Sequence, residues 1–149
     1  MCLFKKKSYK ISIRNFEPKT ASNDEVIRKI ELRDEIKKQI KNLDEIKKFC
    51  LNNKLSVKVW FYLWDSSKEG IAQPEGQTKK DLDNMLKIVL DVLPEKMDND
   101  GKNEGLGLIE GNKDEWVCEL YSVKKIVYHK EEQGMDIEIS KWKETKRSS

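Results

Sequence analysis

Residues 55–64, LSVKVWFYLW, constrain the fold of this chain more than any other segment. Apolar residues occupy every second position from Leu55 to Leu63, which is the period of a β-strand. The positions between them are also bulky in the second half of the segment, where they are Trp60, Tyr62 and Trp64. A strand with large apolar groups on both faces is typical of the interior of a sheet or of a strand covered on each side. We therefore expect a sheet with this strand near its centre.

The segments around this strand predict the order β-α-β-α-β-β. Tyr9 to Ile13 alternates apolar and polar residues, which indicates a first strand. A single long helix is expected from Asp24 to about Cys50, because apolar residues recur there at helical spacing between Lys/Glu pairs. The apolar positions of this helix are Val26, Ile30, Ile36, Ile40, Leu43 and Ile46.

The second half of the chain predicts one more helix and two more strands. The helix is expected from about Asp81 to Leu93, after a loop and before a proline. Strands are expected at 116–128 and 135–139. The connection HKEEQG predicts that these two strands pair as an antiparallel hairpin, with Gly134 as the turn residue.

Length and composition bound the class of protein. At 149 residues the chain is expected to form one α/β (α+β) domain, residues 1–149, on a small mixed sheet. Its 37% hydrophobic and 38% charged residues predict an economical core under a densely ionic surface. Residues 1–19 carry six Lys/Arg against one Glu, and residues 141–149 carry four against one. Such basic, flexible ends suit a polyanion held near a cation site, and they also fit solubilising tails.

The cysteines and the start of the chain indicate a compartment. Cys2, Cys50 and Cys118 are odd in number, widely spaced and without a C-x-x-C pair, which argues against a disulfide framework and a zinc site. No segment resembles a signal peptide or a membrane span. We expect a cytoplasmic protein with no membrane partner.

The segment KKDLDNMLK, residues 79–87, has the pattern most indicative of chemistry. Two aspartates two residues apart lie on different faces of a regular helix, but they converge if Asp81 is the extended residue before the helix and Asp83 lies in its first turn. Carboxylates about 4 Å apart repel by roughly 4 kcal/mol at an effective dielectric of 20, so either a proton or a cation must relieve the charge. Oxygen ligands alone favour Mg²⁺ or Mn²⁺, and Lys87 would lie beside the ion.

The apolar residues of this predicted helix restrict the direction in which its polar side chains can point. The polar stripe of the helix consists of Lys80, Asp83, Asn84, Lys87 and Asp91, and the remaining positions are apolar. A helix this apolar is expected to be mostly enclosed, with its stripe toward a cleft or a partner. The same residues also fit an ordinary helix cap at the aspartates and an i,i+4 ion pair between Asp83 and Lys87. Spacing alone leaves both interpretations open.

Taken together, KKDLDNMLKIVLDVL, the later KDEWVCELYSVKK and the final predicted strand pair resemble the RusA family of Holliday junction resolvases, which are small homodimeric Mg²⁺-dependent endonucleases. The resemblance implies metal-binding, catalytic carboxylates at Asp81, Asp83 and Asp114, and a catalytic lysine at Lys87. Asn84 and Asp91 match family positions that shape the helix. Here a lysine precedes Asp114 where the family often has a second acid, so Glu110 and Glu115 stay open as alternatives for the third ligand.

The resemblance also implies a substrate and an assembly. Branched DNA would be cut by paired symmetrical nicks from two sites of a homodimer, whose two-fold axis matches that of a four-way junction. The aromatic face of residues 55–64 and the apolar surface of the second helix are candidates for the dimer contact. Candidate phosphate contacts are Lys5, Lys6, Lys7, Lys79, Lys80, Lys124 and Lys125. The alternative is a non-catalytic DNA-binding or architectural protein of the same fold, in which the acidic pair is only a cap.

Overall fold

The computed structural model describes residues 8–20, 25–64, 80–97, 99–102, 104–109 and 116–143. In chain order its elements are β1 (Ser8–Arg14), α1 (Glu25–Gln39), α2 (Leu43–Cys50), β2 (Leu55–Trp64), α3 (Leu82–Val92), β3 (Val117–Val127) and β4 (Gly134–Lys141), with a short 3-10 turn at Lys130–Glu132. The described residues form a mixed α+β fold with a four-stranded mixed sheet and three α-helices, so the predicted fold class is confirmed.

The sheet has the strand order β1-β4-β2-β3. Strand β4 runs antiparallel to both of its neighbours, and β2 and β3 are parallel. Strand β2 is therefore interior, as its two apolar faces predict, and it begins and ends at the predicted residues. Its side chains from Leu55 to Leu63 are buried at alternate positions, whereas Trp60, Tyr62 and Trp64 on the other face are half-buried.

The predicted hairpin between the last two strands is wrong. Strands β3 and β4 do not pair, because β2 lies between them in the sheet. The burial patterns give the physical reason: Met135, Ile137 and Ile139 of β4 are almost fully buried, whereas β3 is exposed along much of its length. The buried residues of β4 suit an interior position in the sheet, and the exposed residues of β3 suit an edge position. Gly134 accordingly opens β4 opposite Arg14 of β1, and it does not form a hairpin turn.

The prediction of a single helix over residues 24–50 is also wrong, because the structure has two helices there. Residues 40–42 are not helical and separate α1 from α2. The break at 40–42 lets Ile36 of α1 and Ile46 of α2 both remain fully buried over the same sheet. Local charges fit two helices, since basic residues end α1 and acidic residues follow Asn42 at the start of α2.

Helix α3 packs one side into the core and leaves the other partly covered. Met85, Ile88, Val89 and Val92 are buried, and they form one cluster with buried residues of the sheet and of α1. Leu82, Leu86 and Leu90 are only partly buried, so the predicted enclosure of this helix is incomplete within the described residues. In that part of the chain, no helix combines the length and the apolar character needed to span a membrane.

Candidate metal centre at the start of helix α3

Asp81 is the residue immediately before α3, and its backbone is extended, with φ −68° and ψ 130°. Its carbonyl oxygen accepts the first helical hydrogen bond, from Met85 N at 3.1 Å. Its carboxylate makes no capping hydrogen bond to the backbone N–H groups of the helix. Asp83 follows in the first turn, and both aspartates are exposed. This is the backbone arrangement that lets two carboxylates at i and i+2 turn toward each other.

Asn84 contacts both carboxylates. Its backbone N–H donates to Asp83 Oδ1 at 3.0 Å, and its side-chain Nδ2 donates to Asp81 Oδ2 at 3.3 Å. One residue therefore lies against one oxygen of each acid. Two separate donors of Asn84, its backbone N–H and its side-chain amide, thus orient the two carboxylates in the manner of the outer-shell groups that support metal ligands.

Lys87 lies one turn further along α3 and points toward α1. Its Nζ is 3.6 Å from Glu25 Oε1, and more than half of its side chain is exposed. Glu25 Oε1 also lies 3.0 Å from Nζ of Lys29, whose Nζ is 2.8 Å from Asp91 Oδ2. The hydrogen bond from Lys29 is the largest cause that lowers the pKa of Glu25, and the charges of Lys29 and Lys87 add to it. The polar stripe of α3 thus meets α1 through a chain of alternating charges.

Lys80 is held inside the protein surface. Its Nζ donates to Glu17 Oε1 at 2.8 Å and to the carbonyl oxygen of Pro18 at 2.6 Å, and only 18% of its side chain is exposed. Burial lowers the pKa of Lys80 in spite of its ion pair with Glu17. The charges of Lys19 and Arg28 act in the same direction, and Lys19 Nζ lies 2.8 Å from the other carboxylate oxygen of Glu17.

Lys124 and Lys125 are exposed neighbours on β3 with different surroundings. Lys124 pairs with buried Phe61 of β2 and so lies on the face of the sheet that carries the helices, where its Nζ donates to the carbonyl oxygen of Lys80 at 3.1 Å. Lys125 pairs with Tyr62 and lies on the opposite face. Only one of these two predicted phosphate contacts therefore adjoins the start of α3.

The other predicted site residues lie outside the described residues. They are Asp114 and its alternatives Glu110 and Glu115, together with Lys5, Lys6, Lys7 and Lys79. In the part of the chain that the structure describes, no three His, Cys, Asp or Glu side chains are grouped closely enough to hold a metal ion. In the described residues, the candidate centre consequently comprises only the two aspartates with Asn84, Lys87 and the neighbouring cations.

Sequence reasoning missed the residues that support this centre from other elements. Glu17 follows β1, and Glu25 and Lys29 belong to α1, yet all three contact groups on or beside α3. Their separations along the chain from α3 exceed 50 residues, and an isolated charged residue carries no signal of so distant a partner.

The location of the centre agrees with the architecture of the sheet. Strands β1, β2 and β3 run in one direction, because β4 is antiparallel to both β1 and β2 and β3 is parallel to β2. Glu17 follows the end of β1 and Lys124 lies near the end of β3, so the start of α3 lies at the carboxyl ends of these strands. This edge is where ligands commonly bind in sheets with parallel strands.

The donors at the start of α3 suit a hard divalent cation. Both acids are exposed carboxylates without an ion pair to a described lysine or arginine, and hard oxygen ligands are those that Mg²⁺ and Mn²⁺ prefer. Helix N-termini also tolerate negative charge. Asp81, Asp83 and a third oxygen ligand could hold such an ion, with Lys87 and Lys124 beside it.

Comparison with known families identifies the chain. The family model described as Endodeoxyribonuclease RusA matches residues 8–102, which is more than half of the chain. The matched region contains Asp81, Asp83 and Lys87 and ends before Asp114. Neither the curated proteins nor the solved structures contain a match to this sequence. The sequence match, on a fold that brings Asp81 and Asp83 to the start of one helix, shows that the chain belongs to the RusA family of endodeoxyribonucleases.

Proposed function

We propose that this protein is a Mg²⁺-dependent endonuclease that resolves four-way DNA junctions by paired, symmetrical nicks. The observation that carries the proposal is the arrangement of Asp81 and Asp83, whose carboxylates both contact Asn84 instead of capping α3 through Asp81. Family membership supplies the reaction class, which is cleavage of a DNA phosphodiester. Holliday junctions are the substrate that the family name of resolvase implies.

We assign a different chemical role to each residue of the candidate centre. Asp81 and Asp83 would hold the cation, and Asp114, or one of Glu110 and Glu115, would supply the third ligand. When bound, Mg²⁺ would polarise the scissile phosphate and lower the pKa of a coordinated water. Hydrolysis in which water adds to the phosphorus and the bond from phosphorus to the 3′ oxygen breaks would leave a 5′-phosphate and a 3′-hydroxyl. Lys87, whose side chain is more than half exposed, would stabilise the charge that develops on the phosphate oxygens.

Cations around the centre support binding of a polyanion. Lys19, Arg28 and Lys124 lie near Lys80, which immediately precedes Asp81. We propose that exposed lysines of this group, with Lys125 and Lys79, contact DNA phosphates and make binding sensitive to salt. Lys80 itself pairs with Glu17, so its contribution to phosphate binding would require release of that pair.

A homodimer completes the proposal. Two centres related by a two-fold axis match the symmetry of a four-way junction and would permit one nick in each of two opposed strands. Two surfaces of the described chain are available for this contact: the open face of the sheet with its half-buried aromatics, and the groove of about 360 Å³ between α3 and β3, which includes Leu90 and Leu120.

The test is nicking of an end-labelled synthetic four-way junction beside a linear duplex of the same arms. We expect paired nicks near the crossover that require Mg²⁺ or Mn²⁺ and occur little on the duplex. Asp83→Asn should reduce nicking more than about a hundredfold, because loss of a ligand should exceed the roughly 10–100-fold effect of residues that only support a ligand. Glu31→Gln, which neutralises an exposed acid of α1, serves as the matched control and should cut like the native protein.

Two outcomes would contradict the proposal in different ways. Junction binding without cleavage in either metal would favour the non-catalytic DNA-binding alternative. Equal cutting of junction and duplex would support a metal-dependent nuclease but overturn junction selectivity. Circular dichroism and thermal melting of Asp83→Asn check that any lost activity does not come from unfolding.

A further inference from the structure

Lys80, the residue immediately before Asp81, is held by two separate parts of the chain. Its side chain is anchored on the segment after β1, through Glu17 Oε1 at 2.8 Å and the carbonyl oxygen of Pro18 at 2.6 Å. Its own carbonyl oxygen accepts a hydrogen bond from Lys124 Nζ of β3 at 3.1 Å. Lys80 is therefore clamped between the segment that follows β1 and the edge strand β3.

This clamp acts on the backbone that sets the direction of Asp81. The carbonyl of Lys80 and the N–H of Asp81 belong to one planar peptide unit, so a bond to that oxygen restricts rotation about φ of Asp81. In a regular helix, Asp81 and Asp83 would be about 200° apart and could not share an ion. Sharing an ion therefore requires the extended conformation that Asp81 adopts, with φ −68° and ψ 130°. Whatever orients the Lys80 peptide consequently orients one of the two carboxylates.

The lysine that makes this bond is distinguished from its neighbour by the alternation of β3. Lys124 faces the helices and reaches the start of α3, whereas Lys125 projects from the opposite face. The two residues have the same charge and are adjacent in the chain. The clamp therefore involves Lys124 and not Lys125.

We propose that Lys124 is a positioning residue of the metal centre, which orients the Lys80–Asp81 peptide so that the Asp81 carboxylate converges with that of Asp83. The inference rests on the proposed function, because it assumes that these two carboxylates bind the cation. It assigns to Lys124 a role beyond general attraction of phosphate. Glu17 has the complementary role of anchoring the other side of the clamp through the Lys80 ammonium.

Binding of Mn²⁺ in the absence of DNA tests the inference, and electron paramagnetic resonance of the unbound ion gives the readout. Lys124→Met should weaken Mn²⁺ binding about tenfold or more, as is typical when a group that orients a metal ligand is removed. Electrostatics alone predicts the opposite sign, because removal of a positive charge should strengthen binding of a cation. The sign of the change therefore separates positioning from charge.

Three further variants make the test specific. Lys125→Met is the matched control and should leave Mn²⁺ binding within about twofold of the native value. Lys124→Arg keeps a donor that can reach the carbonyl and should recover much of the affinity. Glu17→Gln removes the charge that anchors Lys80 and should weaken Mn²⁺ binding less than additively with Lys124→Met, since both changes release the same peptide.

The outcomes distinguish failure of the inference from failure of the proposed function. Unchanged or tighter Mn²⁺ binding by Lys124→Met, with binding lost in Asp81→Asn, would overturn the inference and leave the metal centre standing. Native-like Mn²⁺ binding by both Asp81→Asn and Asp83→Asn would overturn the centre, and the inference with it. Lys124→Met should also weaken junction binding by one phosphate contact, and Mn²⁺ binding measured without DNA separates that loss from the positioning role.

Discussion

At the scale of single residues, Asp136 shows how the open face of the sheet supports a buried charge. This side chain on β4 is only 7% exposed, yet its two oxygens accept hydrogen bonds from Arg14 Nη1 and from the hydroxyl of Tyr62, both at 2.9 Å. The Arg14 guanidinium also stacks over the Tyr62 ring, 4.5 Å from its centroid. Burial by itself raises the pKa of Asp136, but the hydrogen bonds and the charge of Arg14 outweigh it, so the pKa is lowered.

This network predicts a pH-dependent contribution to stability. Because the pKa of Asp136 is lowered in the folded state, the stabilisation is complete above the ordinary aspartate pKa of about 3.9 and is lost as the pH falls through the lower folded value. Asp136→Asn should reduce the free energy of unfolding by about 1–3 kcal/mol at pH 7. The difference from the native protein should shrink at pH 3, as urea denaturation would show.

A nearby acid provides the control for this prediction. Glu138 lies two residues further along β4 on the same face and is more exposed than Asp136. Glu138→Gln should change the free energy of unfolding by less than about 0.5 kcal/mol at either pH. A loss in Asp136→Asn that is equal at pH 7 and pH 3 would contradict the argument, because it would not depend on the carboxylate charge.

At the scale of secondary-structure elements, close approach of β1 and β4 depends on a glycine. Gly134 is opposite Arg14 of β1 and Tyr62 of β2, and a Cβ built on it would lie 2.0 Å from the carbonyl oxygen of Ile13. Such a distance is far below van der Waals contact and the colliding atom belongs to the backbone of the neighbouring strand. The first residue of β4 can therefore carry no side chain without displacing β1.

Replacement of this glycine should destabilise the pairing of the two strands. We expect Gly134→Ala to reduce the free energy of unfolding by more than about 2 kcal/mol, within the range of mutations that force strain on a buried backbone. Gly101→Ala is the comparison, because Gly101 has φ +79° but nothing within 4 Å of its Cβ position. That change should cost only about 1 kcal/mol. Equal losses in thermal or denaturant unfolding would show that steric contact with Ile13 is not the cause.

At the scale of the whole molecule, the proposed dimer predicts a measurable mass. Sedimentation equilibrium of the native protein at micromolar concentration should give twice the mass of one chain. The contact surface can be located with two adjacent residues of the edge strand β3. Leu120 borders the groove against α3, Tyr121 lies on the open face of the sheet near Trp60, and both are nearly half exposed.

Charge substitution at these two positions separates the candidate surfaces. If the aromatic face forms the dimer, Tyr121→Lys should produce monomers and Leu120→Lys should not, because a lysine buried in an apolar interface is costly. If the groove forms it, the effects should be reversed. A native protein that sediments as a monomer would contradict the dimer, and two variants that both remain dimeric would exclude both surfaces.

Local patterns in the sequence predicted the elements well and their arrangement less well. The bounds of β2 and the apolar, acid-led helix α3 follow from the side chains of each segment alone. The alternation of β3 and β4 was also sufficient to predict two strands. It was not sufficient to predict which strands pair, because strands that follow each other in sequence need not be neighbours in the sheet. The split between α1 and α2 likewise accompanies burial of Ile36 and Ile46 in one core, which helical spacing along residues 24–50 does not reveal.

The sequence by itself determined most of the elements, the family and the identity of Asp81, Asp83 and Lys87 as candidates, because these features reside in short-range spacing. Only the tertiary structure decided that β4 lies between β1 and β2, that Lys87 points to Glu25, and that Glu17 and Lys124 hold the two sides of Lys80. The physical reason is that hydrogen bonds and ion pairs act over a few ångströms in space. Their partners are determined by how the chain folds back on itself, which spacing along the sequence does not record.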